Sequence, residues 1–208
     1  MHSNLFEFGL LAFMSIITML NPIGIMPTYI SMTATLTARE SKTVAIRASL
    51  VALVTMILFA FTGKLIFHLF GVSVDSLRIV GGIIFFIVGY EMFQSKLPKS
   101  KYDPEDELEP VYDQAITPIG IPLICGPGAI TSVILLMSES QGIIDKSVLM
   151  IAMFVALFIT MMVLISAPTI MKFLGNTGKK VLSRMMGLIV MVVSVEIFFT
   201  GLKALLKS

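Results

Sequence analysis

Charge is scarce in this chain. Only 13 % of its 208 residues are Asp, Glu, Lys or Arg while 56 % are hydrophobic, and the mean hydropathy is +0.96. So little charge cannot solvate the surface of a soluble domain, and long apolar runs recur from end to end. The chain therefore reads as one all-α integral membrane domain over residues 1–208. Cys125 is the single cysteine, which excludes an intrachain disulfide, a Cys-x-x-Cys redox pair and a thiolate metal cluster. Histidine occurs twice. His2 is terminal and His68 sits near a span end, so neither can serve a Ser or Cys nucleophile, and no cluster of His, Asp and Glu suggests a metal. An enzyme is not expected, and no cofactor is implied. The net charge of +2 comes without a long basic stretch, which sets nucleic acid aside as a partner. The first apolar segment lacks a basic n-region and a small-residue cleavage pattern, so it is expected to be retained.

Six spans are expected. The first runs from about Phe6 to Thr33 and the second from Val44 to Phe70, after a polar turn holding Arg39, Glu40, Lys42 and Arg47. The third runs from Leu77 to Phe93, the fourth from Ala115 to Met137, the fifth from Ser147 to Phe173 and the sixth from Val181 to Leu205. A linker, about residues 98–114, is acidic and carries Pro98, Pro104 and Pro110. Spans one and four are interrupted. Asn21-Pro22-Ile23-Gly24-Ile25-Met26-Pro27 places two prolines and a glycine where the first helix should be continuous, and Pro118, Pro122 and Gly126-Pro127-Gly128 do the same in the fourth. Hydrocarbon cannot hydrogen-bond the backbone groups so freed, and each would cost several kcal/mol there. Each break must therefore be buried in protein or line a polar cavity.

Shifting the chain by 105 residues lays Pro22 on Pro127, Gly82 on Gly187, Gly89 on Ser194, Glu91 on Glu196 and Phe93 on Phe198. The halves, about 6–97 and 115–205, hold three spans each. Three is odd, so the second half enters from the opposite side and the repeat is inverted, which brings the two breaks together near the midplane.

The chemistry of the breaks follows from helix ends. Half-helices starting near Gly24 and Ile25, and near Gly128 and Ala129, offer amides with no intrahelical acceptor and the positive end of a dipole, which suits a carboxylate. The carbonyls of Thr18, Pro118 and Leu123, freed by Pro22, Pro122 and Pro127, carry the opposite polarity and suit an ammonium group or a coupling cation. Asn21, Thr18, Thr28, Thr131 and Ser132 add polar side chains, and Cys125 is a small residue beside the second break. The candidate substrate site is thus Thr18, Asn21, Pro22, Gly24, Ile25, Thr28, Leu123, Cys125, Gly126, Pro127, Gly128, Ala129, Thr131 and Ser132. Neither break contains Asp or Glu, which points away from a strongly cationic substrate. Glu91 and Glu196 lie inside spans three and six. Two roles stand open for them: hydrogen bonding to a neighbouring helix, or gating and coupling.

The two motifs, Asn21 to Pro27 and Pro122-Leu123-Ile124-Cys125-Gly126-Pro127-Gly128-Ala129-Ile130-Thr131, resemble the signatures of the MarC family of six-span bacterial membrane proteins, in the same order and positions. The resemblance covers essentially the whole chain. It implies two inverted three-helix halves with discontinuous first and fourth helices. It also implies amino acid transport through the site between them. The expected activity is transport of a small neutral amino acid (glycine, alanine or serine) by alternating access across the bacterial inner membrane, with a proton or a sodium ion as the candidate coupling partner. An exporter of drugs or other metabolites and a non-transporting scaffold are the rival readings, and oligomeric state is not legible. Ten of the fifteen Lys and Arg residues fall on the side holding the turns after spans one, three and five, so that side is expected to be cytoplasmic and both termini periplasmic. A reporter active only in the cytoplasm, fused after Ser208, is expected to stay dark; a bright fusion reverses the topology.

Overall fold

The computed structural model describes residues 5–71, 73–94 and 119–206, and the described residues contain no strand. Helices α1 (Leu5–Leu20) and α2 (Pro22–Met32) share the first span, followed by α3 (Ala38–Phe70) and α4 (Val74–Phe93). A π-helical turn, Ile119–Ile124, leads into α5 (Pro127–Glu139), and α6 runs over Ile143–Leu205. Two expected spans lie end to end in α6. They are separated by a kink at Gly175, where φ is 63° and ψ −177°, a backbone that glycine adopts without steric cost. Among the described residues five helical stretches are long and apolar enough to cross a bilayer, and α5 is a shorter apolar helix. The linker at 98–114, the start of the expected fourth span at 115–118 and Pro118 lie outside the described residues.

Local chemistry sets the helix starts. α3 begins at Ala38, ahead of the expected Val44, because Thr37-Ala38-Arg39-Glu40 is a capping box. The Glu40 amide donates to Thr37 Oγ1 at 3.3 Å, and Glu40 Oε2 accepts from the Thr37 amide at 2.8 Å. Arg39, Glu40, Lys42 and Arg47, expected in a turn, therefore ride on the first turns of α3. Ser73 caps α4, its Oγ accepting from the Ser76 amide at 3.0 Å.

Packing divides the molecule in two. The buried core joins α1, α2, α3, the π turn, α5 and the first arm of α6 through residues such as Ile16, Leu20, Tyr29, Ala48, Met56, Ile124 and Met153. Small residues permit this closeness: a Cβ on Gly63 would stand 2.6 Å from Ile134, and one on Gly9 would stand 3.0 Å from Val148. Tyr29 locks α2 to α3, donating its hydroxyl to the Ser41 carbonyl at 2.7 Å. The second unit is α4 packed on the second arm of α6. A Cβ on Gly82 would meet the Ser194 carbonyl at 2.8 Å, and a Cβ on Gly187 would meet the Gly89 carbonyl at 2.6 Å. Ser183 Oγ donates to the Met92 carbonyl at 3.0 Å along the same seam. Outward faces carry exposed Leu50, Val54, Phe61, Phe154 and Val192, a surface that acyl chains solvate.

Backbone-to-backbone approach at Gly187 leaves no room for a side chain. Gly187→Val is expected to lower stability by about 1–3 kcal/mol, the usual cost of overpacking. Gly142→Ala, where a Cβ meets nothing within 4 Å, should change little. Thermal unfolding in detergent checks the pair, and equal midpoints would contradict the close seam.

Candidate functional site

Asn21 makes the first break. Its φ of 45° is left-handed, a conformation asparagine tolerates better than other side chains with a Cβ. Its amide donates to the Ile17 carbonyl at 3.0 Å, ending α1, and its own carbonyl accepts the Ile25 amide at 3.2 Å, starting α2. Asn21 Oδ1 accepts the Gly24 amide, also at 3.2 Å. One residue thus closes one helix and caps the next. This corrects the expectation that the amides of Gly24 and Ile25 stand free for a ligand, since Asn21 takes both. A Cβ on residue 24 would overlap the Asn21 carboxamide, which is why glycine stands there.

The second break is built differently. In the π turn the Cys125 amide donates to the Gly120 carbonyl at 2.9 Å, and Ile121 leaves the helical region at φ −137°, ψ 123°. Gly126 is the N-cap of α5 and provides no side-chain hydrogen bond, with Pro127 next. The first amides of α5, on Gly128 and Ala129, therefore have no side-chain cap.

Two cavities flank Asn21. The first, about 220 Å³, is walled by Asn21, Gly24, Ile25 and Thr28 on one side and by Ile84, Phe85, Val88, Glu91 and Met92 of α4 on the other, with Leu123 and Val190 contributing. The second, about 370 Å³, is walled by Thr18, Pro22 and Ile23 and by Met186, Ile189 and Val193 of α6. Met19, Asn21, Phe85 and Val190 belong to both. Thr28 is 3 % exposed and its Oγ1 has no hydrogen-bond partner. A hydroxyl orphaned in apolar surroundings costs about 1–3 kcal/mol, and this one belongs to a residue of the first cavity's wall.

Of the expected site residues, Asn21, Gly24, Ile25, Thr28 and Leu123 meet at the first cavity, and Thr18, Pro22 and Asn21 at the second. Cys125, Gly126, Pro127, Gly128, Ala129 and Thr131 are buried and Ser132 is half-buried, and none of these lines either cavity. Gly128 is covered by Met19 Sδ, 3.0 Å from where its Cβ would be, and by Phe85 Cε2 at 3.4 Å, while a Cβ on Gly81 would meet Pro127 at 2.6 Å. The two half-helix starts do not face each other across open space. Thr131, like Thr28, has a buried Oγ1 without a partner.

Glu91 and Glu196 are both exposed, and they differ in surroundings. Glu91 lines the first cavity and Glu196 lines neither of the two. The absence of a carboxylate within the breaks does not extend to the cavity, because α4 brings one to its wall. Glu91 lies two residues from the end of the candidate span Asp75–Phe93, near one end of α4. Met19, Phe85 and Val190 join the walls without any signal in the sequence, where nothing separates them from other apolar residues of a span. Among the described residues no group of three or more His, Cys, Asp or Glu could hold a metal.

No solved structure matches the chain. Relatives do. A UPF0056 membrane protein of Pyrococcus abyssi is 41 % identical over 185 residues, 88 % of each chain. UPF0056 membrane protein YvbG of Bacillus subtilis is 32 % identical over 204 residues, 97 % of each. UPF0056 membrane protein YhcE of Escherichia coli is 31 % identical over 195 residues, covering 93 % of this chain and 91 % of that one. The family model for MarC family integral membrane proteins matches residues 6–206, a range that takes in both breaks and both cavity walls, and the chain belongs to that family.

Proposed function

We propose that the protein carries a small neutral amino acid across the plasma membrane by alternating exposure of the first cavity, with a proton or sodium ion as coupling partner. The observation that carries this reading is the Thr28 hydroxyl, buried without a protein partner on a residue of a cavity wall that also holds Asn21 and Glu91. Such a wall has separated polarities. The carboxamide nitrogen of Asn21 and, once a turn of its side chain uncovers it, the Thr28 hydroxyl receive a carboxylate. Glu91 supplies negative charge for the ammonium group or the coupling cation. At about 220 Å³ the cavity is smaller than the ~300–1,000 Å³ of drug-sized sites, which favours the amino acid over a bulky exported drug.

Reciprocal packing supports an inverted repeat beneath this activity. Gly82 meets Ser194 and Gly89 meets Gly187, and a shift of 105 residues exchanges one pair for the other, as a two-fold axis in the membrane plane requires. The α4 and second-arm unit then rocks across the first break, exposing the cavity to each side in turn.

Thr28→Val separates binding from folding. Replacing an unpaired buried hydroxyl with a methyl is expected to leave the unfolding midpoint unchanged or raise it. The same change should weaken alanine binding about ten- to a hundredfold, the worth of a hydrogen bond to a charged group at ~1.5–3 kcal/mol. Stabilisation of detergent-solubilised protein by glycine, alanine and serine measures both effects. Full alanine stabilisation of the Thr28→Val variant would contradict the site. Asn21→Gly, which keeps the left-handed turn and removes the carboxamide, should lose binding similarly and about 1 kcal/mol or less of stability, whereas unchanged affinity would remove Asn21 from the site.

A further inference from the structure

We infer that Phe85 and Met19 form a movable partition between the two cavities, and that this partition sets the upper size limit of the ligand. The inference rests on the amino acid reading of the first cavity and adds its selectivity element. Four residues border both cavities. Val190 projects from the opposing arm and Asn21 is held by three backbone-defining hydrogen bonds. Met19 and Phe85 are the members that reach across to a third element: their tips, Sδ and Cε2, are the atoms nearest the Cβ position of Gly128, at 3.0 and 3.4 Å. The bare backbone of Gly128 is thus the seat on which the partition rests.

The materials of the partition suit movement. Methionine has three rotatable side-chain bonds and a polarisable sulfur that adapts to changing neighbours, and the Phe85 ring is only half-buried. Both side chains come from the two sides of the proposed motion, Met19 from the core and Phe85 from the α4 unit. Relative movement of the units shears the pair off its seat. The start of α5 lies underneath, with amides lacking a side-chain cap and with the unpaired Thr131 hydroxyl one turn on. Displacing the partition therefore joins the two cavities and uncovers the second break to the ligand. While the partition is seated, a ligand beside Asn21 and Thr28 has the first cavity alone.

Truncating the partition should widen the substrate range. Purified wild type, Phe85→Ala, Phe85→Leu and Met19→Ala are compared by equilibrium binding of glycine, alanine, valine, leucine and phenylalanine. Expected is wild-type binding confined to the smallest members, with the affinity for leucine and phenylalanine relative to glycine rising at least tenfold in Phe85→Ala and Met19→Ala. Phe85→Leu, which preserves packing volume closely enough to fold, should extend the range only to valine. Gly128→Ala should act in the opposite sense, displacing Met19 from its 3.0 Å approach while leaving Phe85 in ordinary contact, and weakening alanine more than glycine. An unchanged order of preference in folded Phe85→Leu and Met19→Ala overturns the partition while leaving the transport reading intact. A wild-type protein that binds none of the five overturns both.

Discussion

A backbone broken inside a membrane has no water to satisfy it, and the architecture at the first break answers that constraint. The break frees donors and acceptors at a depth where each would cost several kcal/mol if left to lipid. Asn21 absorbs most of the problem through its amide, its carbonyl and its carboxamide, provided that Gly24 leaves space for the carboxamide to fold back. What it leaves over is a carboxamide nitrogen and the Thr28 hydroxyl of the next turn. The Thr28 hydroxyl, buried without a partner on a residue of a cavity wall, is a cost to stability that calls for an explanation beyond packing.

The two breaks are not equivalent, although the sequence repeat aligns them. Asparagine caps the first half-helix and leaves polar atoms beside a cavity. Glycine caps the second, contributes no side chain, and lies beneath Met19 and Phe85. Inverted-repeat transporters work by rocking one repeat or bundle against the other around a fixed site, and a site half open and half covered fits one end of such a cycle. The seam between α4 and the second arm of α6, closed by glycines and serine, gives the proposed rocking unit the stiffness to move as one body.

Much of this is readable from residue order, and the limits have physical causes. Proline and glycine act on their own backbone, so both breaks, at Asn21 and around Gly126, stand out from local chemistry. The Thr37 to Glu40 capping box is equally local, but its charged residues resemble a polar turn, which is why α3 begins earlier than expected. Helix rotation is another matter. Whether Glu91 faces lipid or a cavity, or whether Phe85 reaches Gly128, depends on how two helices turn about their axes once packed, and a span that is apolar all round carries little periodic signal to reveal it. The cover over the second half-helix start is hidden for the same reason, since it comes from α1 and α4, distant in sequence from that break.

Whether the cavity beside Asn21 takes a small neutral amino acid through the membrane is tested most directly by counterflow of labelled alanine into liposomes loaded with unlabelled alanine. Glutamate, lysine and a hydrophobic dye serve as comparison substrates. The expected result is rapid transient accumulation of alanine that unlabelled glycine or serine suppresses, with the comparison substrates inert. Dye movement without amino acid exchange, under any imposed proton or sodium gradient, would contradict it.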